Sequence, residues 1–135
     1  MISLNGVICH PTAFNWYEDS GFRYGYGCFE TMRMMGARVP RLSDHMQRLC
    51  HSLTALGMDA YSPDDVAIRI QRLHHALFDG DDTPKICRVH VTGGAIDVEP
   101  GFSCTPCEII RISPMPPSTG CVDVTPSISF QSVTP

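Results

Sequence analysis

Two neighbouring segments each carry apolar residues along a single helical face, and that pattern restricts the fold more than any other feature of the chain. Met46, Leu49, Leu53 and Leu56 recur at helical spacing, and Val66, Ile70, Leu73 and Leu77 do the same. A helix that is apolar along one stripe has to bury the stripe against another layer. Local signals bound both segments. Ser43 is the expected N-cap of the first, with Asp44 in its first turn and Gly57 as the stop. Ser62 is the expected cap of the second, with Pro63 at the first position, Asp65 where a capping-box acid would sit, and Gly80 at the end.

The flanking segments supply the other layer. "ISLNGVIC", residues 2–9, reads as a hairpin, because Asn-Gly is the preferred two-residue turn. Residues 10–20 read as loop. "CFETMRM", residues 28–34, reads as a strand, and Gly36 turns the chain into a shorter strand near "RVPRL". In "KICRVHVT", residues 85–92, alternation places Cys87, Val89 and Val91 on one face and Ile86, Arg88 and His90 on the other. "CEIIRIS", residues 107–113, is a further strand, and the Pro-rich "SPMPPSTG", residues 113–120, is the best linker. Hairpin, strands, two helices and strands imply an α+β fold: a two-layer sandwich of a mostly antiparallel sheet with two helices on one face. Residues 1–117 form that domain; residues 118–135 are linker and an opening strand of something further.

Composition narrows the function. The chain has 135 residues, 43% of them hydrophobic, enough for one core. A net charge of -4 argues against nucleic acid as a partner. No apolar run is long enough to span a membrane, and the N-terminus does not read as a secretory signal. Seven cysteines in such a chain read as reduced thiols, and the expected location is cytoplasmic.

Three constellations could carry chemistry. In "DHMQRL", His45 and Arg48 lie three apart and share a helix face, with Arg48 at the edge of the apolar stripe. Its planar fork suits a phosphate. On spacing alone the plainer account is an arginine laying its stem on the core with its head in water. "CTPC", residues 104–107, is a lone C-x-x-C without two further ligands at a workable spacing; His74 and His75 are adjacent and poorly placed to chelate together. Two ordinary thiols are expected there, and no metal. "GFRYGYGCFETMR", residues 21–33, interleaves glycine and aromatic residues. It is either a close backbone approach to a ligand or a turn-rich entry to a strand, and with no helix after it, it is not a dinucleotide fingerprint.

Taken in order, "GFRYGYGCFETMR", "RLSDHMQRLCHSLTALGM" and "RVHVTGG" resemble the N-terminal domain of the class IV (fold type IV) pyridoxal-phosphate enzymes. These include branched-chain aminotransferases, D-amino-acid aminotransferase and aminodeoxychorismate lyase. "GYGCFET" is similar to the family's G-D-G-x-[FY]-E-T, and "HMQRL" to its H-[LI]-x-R-L. The resemblance covers nearly the whole chain. It implies that Arg48 holds the phosphate of pyridoxal 5'-phosphate with support from His45. Phe29 and Tyr24 would face the substrate, and Arg88 would bind its carboxylate. An amino acid or amino-chorismate substrate and a homodimer follow from the same resemblance. Three positions depart from the pattern: Ser20 stands for arginine in "DRG", Tyr26 for aspartate in "GDG", and Gly93 for arginine in "TRG".

Pyridoxal-phosphate chemistry needs a Schiff-base lysine, which in the family lies in a second domain. The only lysine here is Lys85, which matches no family position and is expected at the surface. The chain therefore reads as an N-terminal fragment, with no catalytic residue of its own and neither activity nor bound cofactor when alone. The alternative is a non-catalytic pseudoenzyme or dimerisation module of the same fold, which Ser20, Tyr26 and Gly93 favour. Val122, Val124, Ile128 and Phe130 suit a strand whose neighbours would lie in that second domain. Limited proteolysis of the chain should cut first within residues 113–120 or beyond, since linkers and unsupported termini open most easily. Early cutting within residues 43–56 would show that the first domain is not stably folded alone.

Overall fold

The computed structural model describes residues 1–95 and 105–117. The linker and strand expected over residues 118–135, and Cys104 of the C-x-x-C pair, lie outside the described residues. Five strands form one antiparallel sheet: β1 (Ile2–Leu4), β2 (Val7–Cys9), β3 (Gly27–Met35), β4 (Pro84–Thr92) and β5 (Cys107–Pro114). Their order is β2-β1-β5-β4-β3, so β3 is an edge strand. The hairpin forms as its sequence dictates, with Asn5 and Gly6 at φ 48° and 84°.

Two helices, α2 (Leu42–Ala55) and α3 (Val66–Phe78), cover one face, α2 over β3 and α3 over β1 and β5. Met46, Leu49 and Leu53 of α2 and Val66, Ile70 and Leu73 of α3 are buried against Met32, Met34, Val89 and Ile110 of the sheet. Each such side chain contributes about 1.5–3 kcal/mol through loss of apolar surface to water. A forked ion pair also ties α3 to the sheet. Arg69 donates from Nε to Oε1 of buried Glu108 at 2.7 Å and from Nη2 to Oε2 at 2.9 Å, and the Tyr61 hydroxyl donates to the same carboxylate at 2.7 Å. Burial and that hydrogen bond push the Tyr61 phenol well above its ordinary range.

Several local expectations are corrected. The N-cap of α2 is Arg41, in the left-handed region at φ 55°, and Ser43 lies inside the helix. Arg41 compensates by donating from Nε to Asp44 at 2.7 Å. Helix α3 begins only at Val66, after Asp65 at φ 60° with no side-chain cap. The Ser62 hydroxyl instead accepts from the Asp64 amide, which spends the cap signal on a turn. Leu56 caps the end of α2 and is 37% exposed, because the stripe ends at Leu53. The strand expected near residues 38–42 is a single bridge between Met35 and Arg38. Residues 10–20 hold two 3-10 turns, and a short helix, α1 (Ser20–Tyr24), follows. Gly25 ends it at φ 65°, donating to the Gly21 and Ser20 carbonyls.

The largest correction concerns Lys85, which is 1% exposed rather than at the surface. It shares its strand parity with Cys87, Val89 and Val91, and parity sends it inward. Its ammonium donates to the Thr83 hydroxyl at 2.6 Å and carbonyl at 2.9 Å, pairs with the Asp81 carboxylate at 2.9 Å and sits 4.9 Å from the Phe78 ring centre. Hydrogen bonding to Lys85, before any other cause, holds the Asp81 carboxyl well below its usual range.

No helix among the described residues is long and apolar enough to cross a membrane. In urea unfolding, Leu49→Ala should cost about 2–5 kcal/mol, and Leu56→Ala about 1 kcal/mol or less. Equal losses at the two positions would contradict the orientation of α2.

Candidate active site

Strand β3 carries the site because its neighbouring residues face opposite ways. Glu30 points into the helix layer and is 6% exposed; Phe29 points to the open face and is 62% exposed. Four of the five candidate residues read from the sequence therefore fall into two clusters, one on each face of the sheet, and Tyr24 of α1 belongs to neither.

On the helix side, Glu30 holds both candidates of α2. Arg48 donates from Nε to Oε1 at 2.7 Å and from Nη2 to Oε2 at 2.5 Å, and His45 Nδ1 lies 2.9 Å from Oε2. Residues 45 and 48 are one turn apart, so both reach a carboxylate beneath the helix. The hydrogen bond from Arg48 is the first cause that holds the Glu30 carboxyl below its ordinary value; burial opposes it, and His45 adds to it. Glu30 in turn raises the guanidinium of Arg48. The Arg48 side chain remains 66% exposed, and its Nη1 bonds to no described residue. One edge of the fork is fixed on protein, and Nη1 is left unengaged among the described residues.

Glu30 was not among the candidates from the sequence. The available signal was a carboxylate on the inward parity of a strand, where only a partnered acid belongs.

On the open face, Phe29 stacks on His90 with ring centres 5.3 Å apart and an interplanar angle of 24°. The two are register partners, and Arg88 lies opposite Thr31 in the next same-face row. Burial first, then the charges of Arg88 and Arg111, push the His90 imidazole below its ordinary range. Beside His90, a cavity of about 250 Å³ lies against Phe14, Phe22, Thr92 and Ile109. Asp19 fastens its α1 side: Oδ2 accepts from the Thr92 hydroxyl at 2.6 Å, and Oδ1 from the Gly21 amide at 2.8 Å. Tyr24 does not line the cavity; it is 65% exposed, with the Arg23 guanidinium 5.6 Å from its ring centre.

Among the described residues, no group of three or more histidine, cysteine or acidic side chains could hold a metal ion.

The family model described as "Amino-transferase class IV" matches residues 27–119, more than half of the chain. The chain belongs to the class IV aminotransferase family. Solved structures agree on the class IV fold. The 4-amino-4-deoxychorismate lyase of Pseudomonas aeruginosa is 22% identical with a TM-score of 0.68, over 86% of this chain and 40% of that one. A hypothetical aminotransferase from Mycobacterium tuberculosis, in a PLP-bound form, is 22% identical with a TM-score of 0.67 over the same shares. The branched-chain aminotransferase of Thermoproteus uzoniensis with norvaline is 21% identical, with a TM-score of 0.68 over 84% of this chain and 40% of that one. The chain thus spans about two fifths of the length of these structures. No curated protein matches it.

The three departures from the class IV pattern are gathered in one place. The Tyr26 amide donates to the Ser20 carbonyl at 3.3 Å, and the Gly93 amide to the Tyr26 carbonyl at 3.1 Å. A Cβ on Gly93 would sit 2.4 Å from Tyr26 Cδ1 and 2.7 Å from Ser20 Oγ. The Tyr26 hydroxyl reaches across to donate to the Leu56 carbonyl at 2.6 Å. The three positions form one packed unit with an aromatic ring at its centre.

Because Glu30 has a folded-state pKa below its ordinary 4.5, its ionisation favours the fold above that value. That contribution is lost as the pH falls from about 4.5 toward the lower folded value. The difference in Tm between the native chain and Glu30→Gln should therefore be large at neutral pH and shrink on acidification. A difference that stayed constant down to pH of about 3 would exclude an ionised Glu30 as the anchor.

Proposed function

We propose that this chain is the N-terminal part of a pyridoxal-phosphate-dependent aminotransferase or 4-amino-4-deoxychorismate lyase, supplying the phosphate side and the substrate side of its active site. The observation that carries this reading is the half-engaged guanidinium of Arg48, fixed by Glu30 and His45 with its remaining N–H groups exposed. A fork held in this way is pre-organised for a phosphate and loses little freedom on binding.

Pyridoxal 5'-phosphate, when bound, supplies the electron sink for chemistry at the substrate's amine-bearing carbon. The residues of this chain bind and orient. Arg48 takes the phosphate, His45 and Glu30 set its angle, Phe29 offers an aromatic wall, and Arg88 offers a cation to a substrate carboxylate. The family's reaction also needs a lysine amine. Lys85 does not fit that role, since its ammonium is buried on Asp81 and Thr83. That amine is assigned to a second domain, and the reading includes a homodimer acting on an amino acid or amino-chorismate. The second reading, a non-catalytic module, draws on the packed Ser20–Tyr26–Gly93 unit, which replaces polar groups of the family pattern.

The coding sequence after residue 135 separates the two. A lysine-bearing second domain in frame supports the enzyme, and an immediate stop supports the module. In the longer protein, Arg48→Lys keeps the charge but loses the fork, and should weaken retention of pyridoxal phosphate about tenfold. Unchanged retention in a folded variant, judged by circular dichroism, would remove Arg48 from the cofactor site. The 135-residue chain itself, mixed with pyridoxal phosphate and borohydride, should show no stoichiometric adduct at Lys85.

A further inference from the structure

Two side chains from one stretch of extended chain hold α2, and they hold it at different points. Glu30 takes His45 and Arg48, in the first half of the helix. Tyr26, just before β3, packs on the helix-side core and donates from its hydroxyl to the carbonyl of Leu56, the C-cap of α2, at 2.6 Å. That carbonyl is one of the acceptors that a helix end leaves without a partner. The contacts run in opposite order along strand and helix, so α2 lies antiparallel to β3. The two spans match. Tyr26 and Glu30 are four residues apart on extended chain, about 13 Å. Arg48 and Leu56 are eight residues apart along the helix, about 12 Å. Both clamps therefore close together at a single axial position of α2.

The apolar packing of Met46, Leu49 and Leu53 is non-directional and does not fix that position alone. The Glu30 carboxylate sets the angle of the Arg48 guanidinium. The Tyr26 hydroxyl sets how far along β3 the helix that carries Arg48 lies. We propose that Tyr26 is a positioning residue for Arg48, and through it for the anion that Arg48 takes. This role deepens the phosphate-side function proposed above and rests on it for the anion. It is particular to this chain. An ionised aspartate, as in the family pattern at position 26, only accepts hydrogen bonds and could not donate to the Leu56 carbonyl. The bare Gly93 leaves the space in which the Tyr26 ring lies.

The probe is inorganic phosphate, titrated into the 135-residue chain and followed by the Nε–H resonance of the Arg48 side chain in the NMR spectrum. Comparison with Arg48→Gln isolates the binding that depends on Arg48. Tyr26→Phe keeps the ring and removes the hydroxyl. It should shift the Arg48 resonance before any phosphate is added, and weaken the Arg48-dependent binding about fivefold, as loss of one hydrogen bond would. Tyr61→Phe removes a hydroxyl from the Glu108 clamp of α3. It should lower Tm without moving the resonance or the affinity. If Arg48-dependent binding keeps its full strength in Tyr26→Phe, or weakens equally in Tyr61→Phe, the proposal is overturned and the Arg48 assignment stands. If Arg48→Gln binds phosphate as the native chain does, the Arg48 assignment fails and the resonance decides the proposal. A shift in Tyr26→Phe alone upholds the positioning of Arg48, and an unshifted resonance ends it.

Discussion

A buried carboxylate on an edge strand sets the terms for the rest of this structure. Glu30 lies on the inward parity of β3, among apolar neighbours, and an acid in that place must be paired. Arg48 and His45 provide the pairing from one face of α2, and this fixes how the helix is rotated about its axis. With that rotation set, Met46, Leu49 and Leu53 point at the sheet, and Leu56 falls outside the stripe. Packing and polar pairing then specify the same geometry, which is what gives a helix one register instead of several.

The same device occurs on α3, where Arg69 and Tyr61 hold Glu108. Exposure distinguishes the two. The Arg69 side chain is 19% exposed, and its Nη1 is spent on the Asp64 carbonyl at 2.7 Å. The Arg48 side chain is 66% exposed, with Nη1 unbonded among the described residues. Two arginines with equivalent anchoring roles thus differ in whether a donor is left over among the described residues, and that difference is the ground for proposing Arg48, and not Arg69, as a binding group.

The layer architecture was legible in the sequence because it rests on periodicity. The α2 stripe as far as Leu53, the stripe of α3, the Asn-Gly hairpin and the alternation of β4 appear as read. Helix starts were less legible. Ser43 and Ser62 carry the right side chains for caps, but the chain enters each helix through a residue in the left-handed region, Arg41 or Asp65, a choice made by tertiary context. Lys85 matches no family position and so reads as a surface residue, but strand parity sends it inward; the Asp81 and Thr83 groups that make its burial possible come from the preceding turn. At the candidate site, the motifs led to Arg48 and His45 but passed over Glu30, whose carboxylate oxygens accept from those two side chains and which shows only on the inward parity of its strand.

The ring of Tyr26 limits what position 93 can hold. It occupies the space that a side chain at position 93 would need, and its hydroxyl holds the end of α2. An arginine at position 93, as in the family pattern, is sterically incompatible with this ring as it stands. The two positions are therefore sterically coupled: an engineer restoring the family's arginine replaces Tyr26 first and introduces the arginine second.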